Sequence, residues 1–182
     1  MDPQVIPVGS ALVKHDAPGQ PRRVLGAEHP HTLATERSLA WFTGLDGDLD
    51  AAIARLDALL LRAVPVLGPD DVHVFAARGA LAYFTGRAGR PDAAVAQLTA
   101  LRADRERVLG ALHPHVLVTR QQLALFTAQA GDRDGAVRQI EQVVADMRRV
   151  LDASHVHLTA AEQSLTRLRS GGPVWVEGGG WS

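Results

Sequence analysis

Arg107-Val108-Leu109-Gly110-Ala111-Leu112-His113-Pro114-His115 is the stretch whose reading decides the fold, because near-copies of it stand on either side. Val24-Leu25-Gly26, Val66-Leu67-Gly68, Val108-Leu109-Gly110 and Val150-Leu151-Asp152 follow one another at a step of 42 positions. His31, His73, His115 and His157 keep the same step. Self-similarity at a fixed period of this length marks stacked supersecondary units, each of which buries its apolar face against the next. The chain therefore reads as an array of repeats, and its first expected activity is binding.

Composition narrows the architecture and the partners. Apolar residues make up 46% of the 182 and aromatic residues only 4%, which suits helices packed closely through small side chains rather than a sheet core. Nineteen basic residues against twenty acidic ones leave a net charge of -1. That balance gives no field favouring nucleic acid or an anionic membrane, and neither is expected as a partner. Cysteine is absent, which removes disulfides, thiolate metal sites and cysteine nucleophiles. No stretch reaches the apolar length of a membrane span. Met1–Gln20 lacks a basic start followed by an apolar core and is expected to be a flexible lead-in. A cytoplasmic protein without cofactor or metal is the simplest expectation.

The repeat resolves into helix pairs. Pro30 to Gly44 carries Leu33, Leu39, Ala40 and Phe42 at helical spacing, with Pro30 suited to the first helical turn. Asp48 is placed to cap a second helix, on which Ala52, Ile53, Leu56, Leu59 and Leu60 form one apolar stripe. Leu81-Ala82-Tyr83-Phe84-Thr85 and Leu123-Ala124-Leu125-Phe126-Thr127 repeat the first helix. Pro65, where other repeats hold Arg107 and Arg149, predicts a bend or early helix end. Leu81 is expected at the centre of the core, so that Leu81→Ala would cost about 2–5 kcal/mol. From His155 to Arg169 a more polar half-repeat reads as a terminal cap.

These residues carry a family resemblance. The pattern L-A-x-F-T-G-x-x-G-D, then Ala in the next helix, then R-V-L-G-x-x-H-P, resembles the tetratricopeptide repeat. More narrowly it is similar to the 42-residue kinesin-light-chain-like subtype common in actinobacterial proteins. The resemblance covers roughly residues 22–168 and rests on Leu39-Ala40, Leu81-Ala82, Leu123-Ala124, on Gly47, Gly89, Gly131, and on Ala52, Ala94, Ala136. It implies an all-α helix-turn-helix solenoid, a right-handed superhelix of three repeats with a C-terminal capping helix. The expected layout is a flexible segment over 1–20 and an array over 21–169. Repeats fall at about 29–68, 69–110 and 111–152, with a cap at 155–169 and a flexible Gly/Trp-rich tail over 170–182.

The resemblance also implies where a partner binds, namely the groove lined by first helices. Four columns map to it: Trp41, Tyr83, Leu125 and Arg167; Arg37, Gly79, Gln121 and Gln163; Ser38, Ala80, Gln122 and Ser164; and Ala34, Ala76, Val118 and Ala160. The trough is apolar and aromatic towards its N-terminal end, where Trp41 and Tyr83 would anchor an extended or helical peptide, and polar towards the other. The Asn that kinesin-light-chain-like repeats often hold in the third column is absent, as are the Lys and Asn of a carboxylate clamp.

Two other features compete for a role. His29-x-His31, His113-x-His115 and His155-x-His157 each pair two imidazoles, but two ligands do not close a metal site, and their place at the repeat corner fits helix capping better. In the tail, Trp175, Glu177 and Trp181 resemble the tryptophan-acidic peptides that kinesin light chains bind, and could fill the groove as a self-ligand. Arg102 to Arg107, alternating in sign, reads as a solvated helix face. The leading expectation is a non-enzymatic scaffold or adaptor that binds a protein or peptide. Its rivals are a self-associating structural oligomeriser and a regulatory module acting with a bacterial signalling or transcription protein.

Overall fold

The computed structural model describes Gly26 and residues 29–175. Among these residues seven helices follow in order: α1 (Pro30–Leu45), α2 (Leu49–Leu67), α3 (Val72–Arg87), α4 (Pro91–Leu109), α5 (Pro114–Gln129), α6 (Arg133–Val150) and α7 (Val156–Arg169). No strand occurs among the described residues. The expected lead-in over 1–20 lies outside them.

Local chemistry sets each boundary. Asp48 accepts from the Ala51 amide at 3.0 Å and Asp132 from the Gly135 amide at 2.8 Å, so both cap the second helix of their repeat. At the turn between the helices of each pair, Gly47, Gly89 and Gly131 have φ of 100°, 80° and 109°, a backbone state that side chains with Cβ resist. At the corner between repeats, His29, His113 and His155 cap the first helix. Each imidazole Nδ1 accepts from the amide two residues on, at 3.2 Å. Asp71 does the same for α3 at 2.7 Å.

Each helix packs on the next, and α1, α3, α5 and α7 also touch in succession, whereas α2, α4 and α6 do not touch one another among the described residues. The odd helices therefore form the tighter, inner layer of a curved array.

Two glycines make that inner layer possible. A Cβ on Gly44 would lie 2.3 Å from the Phe84 ring, and one on Gly86 would lie 2.1 Å from the Phe126 ring. Both distances are far inside van der Waals contact, so the phenyl ring of each repeat packs directly against the backbone of the one before. At the third junction the glycine is replaced by Ala128 and the phenylalanine by Leu168, which shares its cluster. An added methyl on one side is matched by a smaller side chain on the other, which conserves volume across the contact.

Three expectations change. Pro65 does not end α2, which runs on to Leu67. The proline sits in the last turn and is exposed, and the carbonyl that loses its helical donor belongs to Leu61, itself on the exposed side where water can serve it. Leu81 is half-buried at the edge of the core, and the deep positions are Ala82, Tyr83 and Phe84 beside it.

Arg105 is not on a solvated face but is only 9% exposed. Its guanidinium donates to the Phe75 carbonyl at 3.0 Å and the Thr119 hydroxyl at 2.6 Å, tying α3, α4 and α5 together. Burial and the neighbouring Arg78 lower its pKa to about 10.

Candidate functional site: the aromatic inner face

The inner layer carries a continuous run of rings. Trp41 stacks on Tyr83 at 5.2 Å between centroids, and Phe84 closes on both, at 5.1 Å from Trp41 and 5.2 Å from Tyr83. Phe126 meets Tyr83 edge-on at 6.3 Å. Edge-to-face and offset geometries are those the ring quadrupole favours. The rings come from one register position and the next, on α1, α3 and α5, so the repeat itself assembles the cluster.

The last described residue completes it. Ser170–Trp175, expected within a flexible tail, turns back along the array. Arg133 donates to the carbonyls of Leu168 at 2.9 Å, of Arg167 and of Gly172, while Gly171 takes a φ of 74°. The turn delivers the Trp175 indole onto Phe126 at 5.0 Å and edge-on to Tyr83 at 5.8 Å. Its ring N–H donates to Gln129 Oε1 at 2.9 Å, and the Arg87 guanidinium lies 5.9 Å from its centroid. Arg87 also donates to the Tyr83 hydroxyl at 3.0 Å. The seat thus offers an indole an apolar floor, one acceptor for its polar edge and a cation beside it. Glu177 and Trp181 lie outside the described residues.

Placed on this geometry, the expected groove residues divide. Arg37, Ser38, Trp41, Gly79, Gln122, Gln163 and Arg167 keep some exposure. Ala80, Tyr83, Gln121 and Leu125 are buried. The second column points partly into its own repeat: a Cβ on Gly79 would face Leu101 and Arg105 of α4, and Gln121 is wholly enclosed. Tyr83 is buried because its neighbours and Trp175 cover it. Arg87 and Gln129, four residues beyond Tyr83 and Leu125 on the same helical face, were passed over in the sequence; the i, i+4 spacing from an aromatic column was the available signal.

A cross-braced layer also joins the helices of each pair. Glu36 pairs with Arg62, Arg78 with Asp104 at 2.8 Å and Arg120 with Asp146 at 2.8 Å, the same two register positions each time. Because the first pair has its signs exchanged, neither position shows a constant charge along a column.

The histidine pairs sit at the corners, away from the rings, with centroids 5.3 to 5.4 Å apart. Burial lowers the pKa of His115, with Arg105, His113 and His157 adding to the effect; burial and His155 lower that of His157. Among the described residues no group of three or more His, Cys, Asp or Glu is placed to hold a metal ion, and no helix is long and apolar enough to cross a membrane.

Comparison with known proteins agrees with the architecture. A tetratricopeptide-repeat family model matches residues 116–157. The nearly identical TPR-like repeats of a Podosopora anserina protein assigned as a kinesin light chain superpose with a TM-score of 0.70 at 26% identity, over 78% of this chain and 67% of that one. A point variant of the same repeats gives the same TM-score and identity, with 66% of that chain covered. BtubC (BKLC) from P. vanneervenii superposes with a TM-score of 0.68 at 15% identity, over 76% of this chain and 56% of that one, a likeness of fold alone. No curated protein matches the chain.

Proposed function

We propose, from the premise that the chain is a tetratricopeptide-repeat protein of the kinesin-light-chain-like type, that it binds a peptide segment of a partner on its inner face through an aromatic anchor. The repeat fold supports a protein-interaction scaffold in general. The narrower reading rests on one observation, the Trp175 indole lodged among Tyr83, Phe126, Arg87 and Gln129. A face that seats an indole of its own chain has the shape and polarity to seat one from a partner, and Arg87 favours a carboxylate flanking the ring. Trp41, Gln122, Gln163 and Arg167 extend the contact along the remaining exposed face. The chemistry on this face is recognition rather than catalysis, and the absence of cysteine suits a cytoplasmic setting.

The test compares the full chain with one ending at Gly172, using a fluorescent peptide copying residues 173–182. The shortened chain is expected to bind the peptide at least tenfold more tightly than the full chain, and Tyr83→Ala is expected to abolish binding. Equal, negligible binding by both chains would contradict the proposal.

A further inference from the structure

We propose that Ser170 is a phosphorylation site and that a phosphate there releases Trp175 from the inner face. The release stands on the turn alone; that it frees the face for a partner rests on the function proposed above. Ser170 is exposed, and it is the one serine or threonine of the sequence with an arginine three residues before it, Arg167, and another directly before it, Arg169. Two guanidinium groups at that spacing suit the acidic substrate groove of a protein kinase. Backbone freedom points to the same residue. Thr35, Ser38, Thr99 and Thr127 lie inside helices and donate to the carbonyl four residues back. Among the described residues only Ser154 and Ser170 carry a serine or threonine hydroxyl outside a helix. Ser170 ends α7 and is followed by Gly171, with φ 74°, then Gly172 and Pro173, a segment that can extend into a kinase cleft.

The hydroxyl also sits in the turn that carries Trp175. The Arg167 carbonyl is the hub of that turn, accepting from Ser170 Oγ at 3.1 Å, the Gly172 amide at 3.0 Å and Arg133 at 3.3 Å. A Cβ on Gly172 would lie 3.6 Å from Ser170 Oγ, so the turn closes tightly around it. Arg133 holds the carbonyls of Leu168 and Gly172 as well, and no carboxylate pairs with it among the described residues. In the transfer, Ser170 Oγ attacks the γ-phosphorus of a nucleoside triphosphate held by the kinase. The Oγ–P bond forms, the bond to the β-phosphate oxygen breaks, the nucleoside diphosphate leaves and the hydroxyl proton passes to the kinase's base. The product lacks the donor that served the Arg167 carbonyl. Its charge of about −1.5 to −2 stands at the carbonyl end of α7, where the helix dipole repels it. Its oxygens also bond a guanidinium more strongly than carbonyls do, which draws Arg133 off Leu168 and Gly172. The clamp that lays Trp175 on Phe126 is then lost.

The experiment uses the full chain with Trp41 and Trp181 replaced by Phe, so that emission reports Trp175. Phosphoserine is placed at 170 by genetic encoding, and separately the unmodified protein is treated with ATP and a kinase that selects arginine three residues before serine. The kinase is expected to modify Ser170, by mass mapping, and to leave the Ser170→Ala protein unmodified. Either phosphorylated form should show red-shifted emission open to iodide, restored to blue by phosphatase. Arg133→Ala should be red already and gain nothing from the phosphate. Binding of the peptide copying residues 173–182 should tighten about tenfold on phosphorylation, as an occluded site is freed. Red emission without tighter peptide binding would uphold the release and count against the binding role of the face. Blue, shielded emission from the encoded phosphoserine protein would overturn the proposal, as would a kinase that leaves Ser170 of the folded chain unmodified.

Discussion

The two ends of this array finish the same repeat in opposite ways. At the C-terminal end the phenylalanine of the motif has become Leu168, the glycine before it has become Ala128, and Arg133 fastens a turn that lays Trp175 over the inner face. Ion pairs from Arg148 to Glu162 and from Arg169 to Glu141 close α7 against α6. At the N-terminal end nothing in the described residues covers Phe42, although it is the same residue that makes the tightest internal contacts. One end has been rewritten to meet water, and the other keeps the sequence of an interior repeat. In a stacked protein a residue's energy depends on its neighbour as much as on itself, so identical motif positions should respond differently to the same substitution.

The largest contrast between the two ends is expected on truncating the phenylalanines. Phe126→Ala empties a fully buried site and should cost about 3–5 kcal/mol in urea unfolding, whereas Phe42→Ala should fall within about 0.5 kcal/mol. Equal costs would mean that Phe42 is covered after all. Next in size is Gly86→Ala. An alanine in a helix interior ordinarily gains about 0.5–1 kcal/mol over glycine. Here its methyl would meet the Phe126 ring, and overpacking of about 1–3 kcal/mol should reverse the sign. A stabilised Gly86→Ala protein would refute the ring-on-backbone contact.

Arg133→Ala probes the closed end. It removes a charged donor from three carbonyls and should cost about 1.5–3 kcal/mol, with a red shift of tryptophan emission as Trp175 leaves its seat. The mildest change is acid, which acts through two corner histidines, His115 and His157. Burial lowers the pKa of His115 and His157 in the folded state, so the unfolded chain takes up protons first. The stability present above about pH 6.5 should decline as the pH falls through that value towards the lowered ones. A melting temperature constant from pH 7.5 to pH 5.5 would contradict the burial of His115 and His157 as a source of pH dependence.

Much of the fold was legible because the repeat reports local geometry at fixed steps. Pro30, Pro91 and Pro114 begin helices, Gly47, Gly89 and Gly131 turn them, and Asp48 and Asp132 cap them. These roles depend on a few neighbouring residues and can be read along the chain. The inner face was only half legible for the opposite reason. Column reading finds residues at one register position, but Arg87 and Gln129 join the seat through i, i+4 neighbours, and Trp175 arrives from outside the repeat by a turn held from Arg133. Arg105 was misread because charge alternation on a helix does not tell which side faces the next pair, and its partners are carbonyls and a hydroxyl with no sequence signature. Leu81 and Tyr83 changed places in depth because Trp41, Phe84, Phe126 and Trp175 close around the Tyr83 ring, a cover that reading one register position does not reveal.

The inner face seats an indole, that of Trp175 in this chain. The direct measurement is the emission of a full-length protein in which Trp41 and Trp181 are replaced by Phe, leaving Trp175 as the sole tryptophan. A blue-shifted spectrum shielded from iodide, turning red and quenchable on Arg133→Ala, is the predicted result. A red, freely quenched spectrum that Arg133→Ala leaves unchanged would contradict the account.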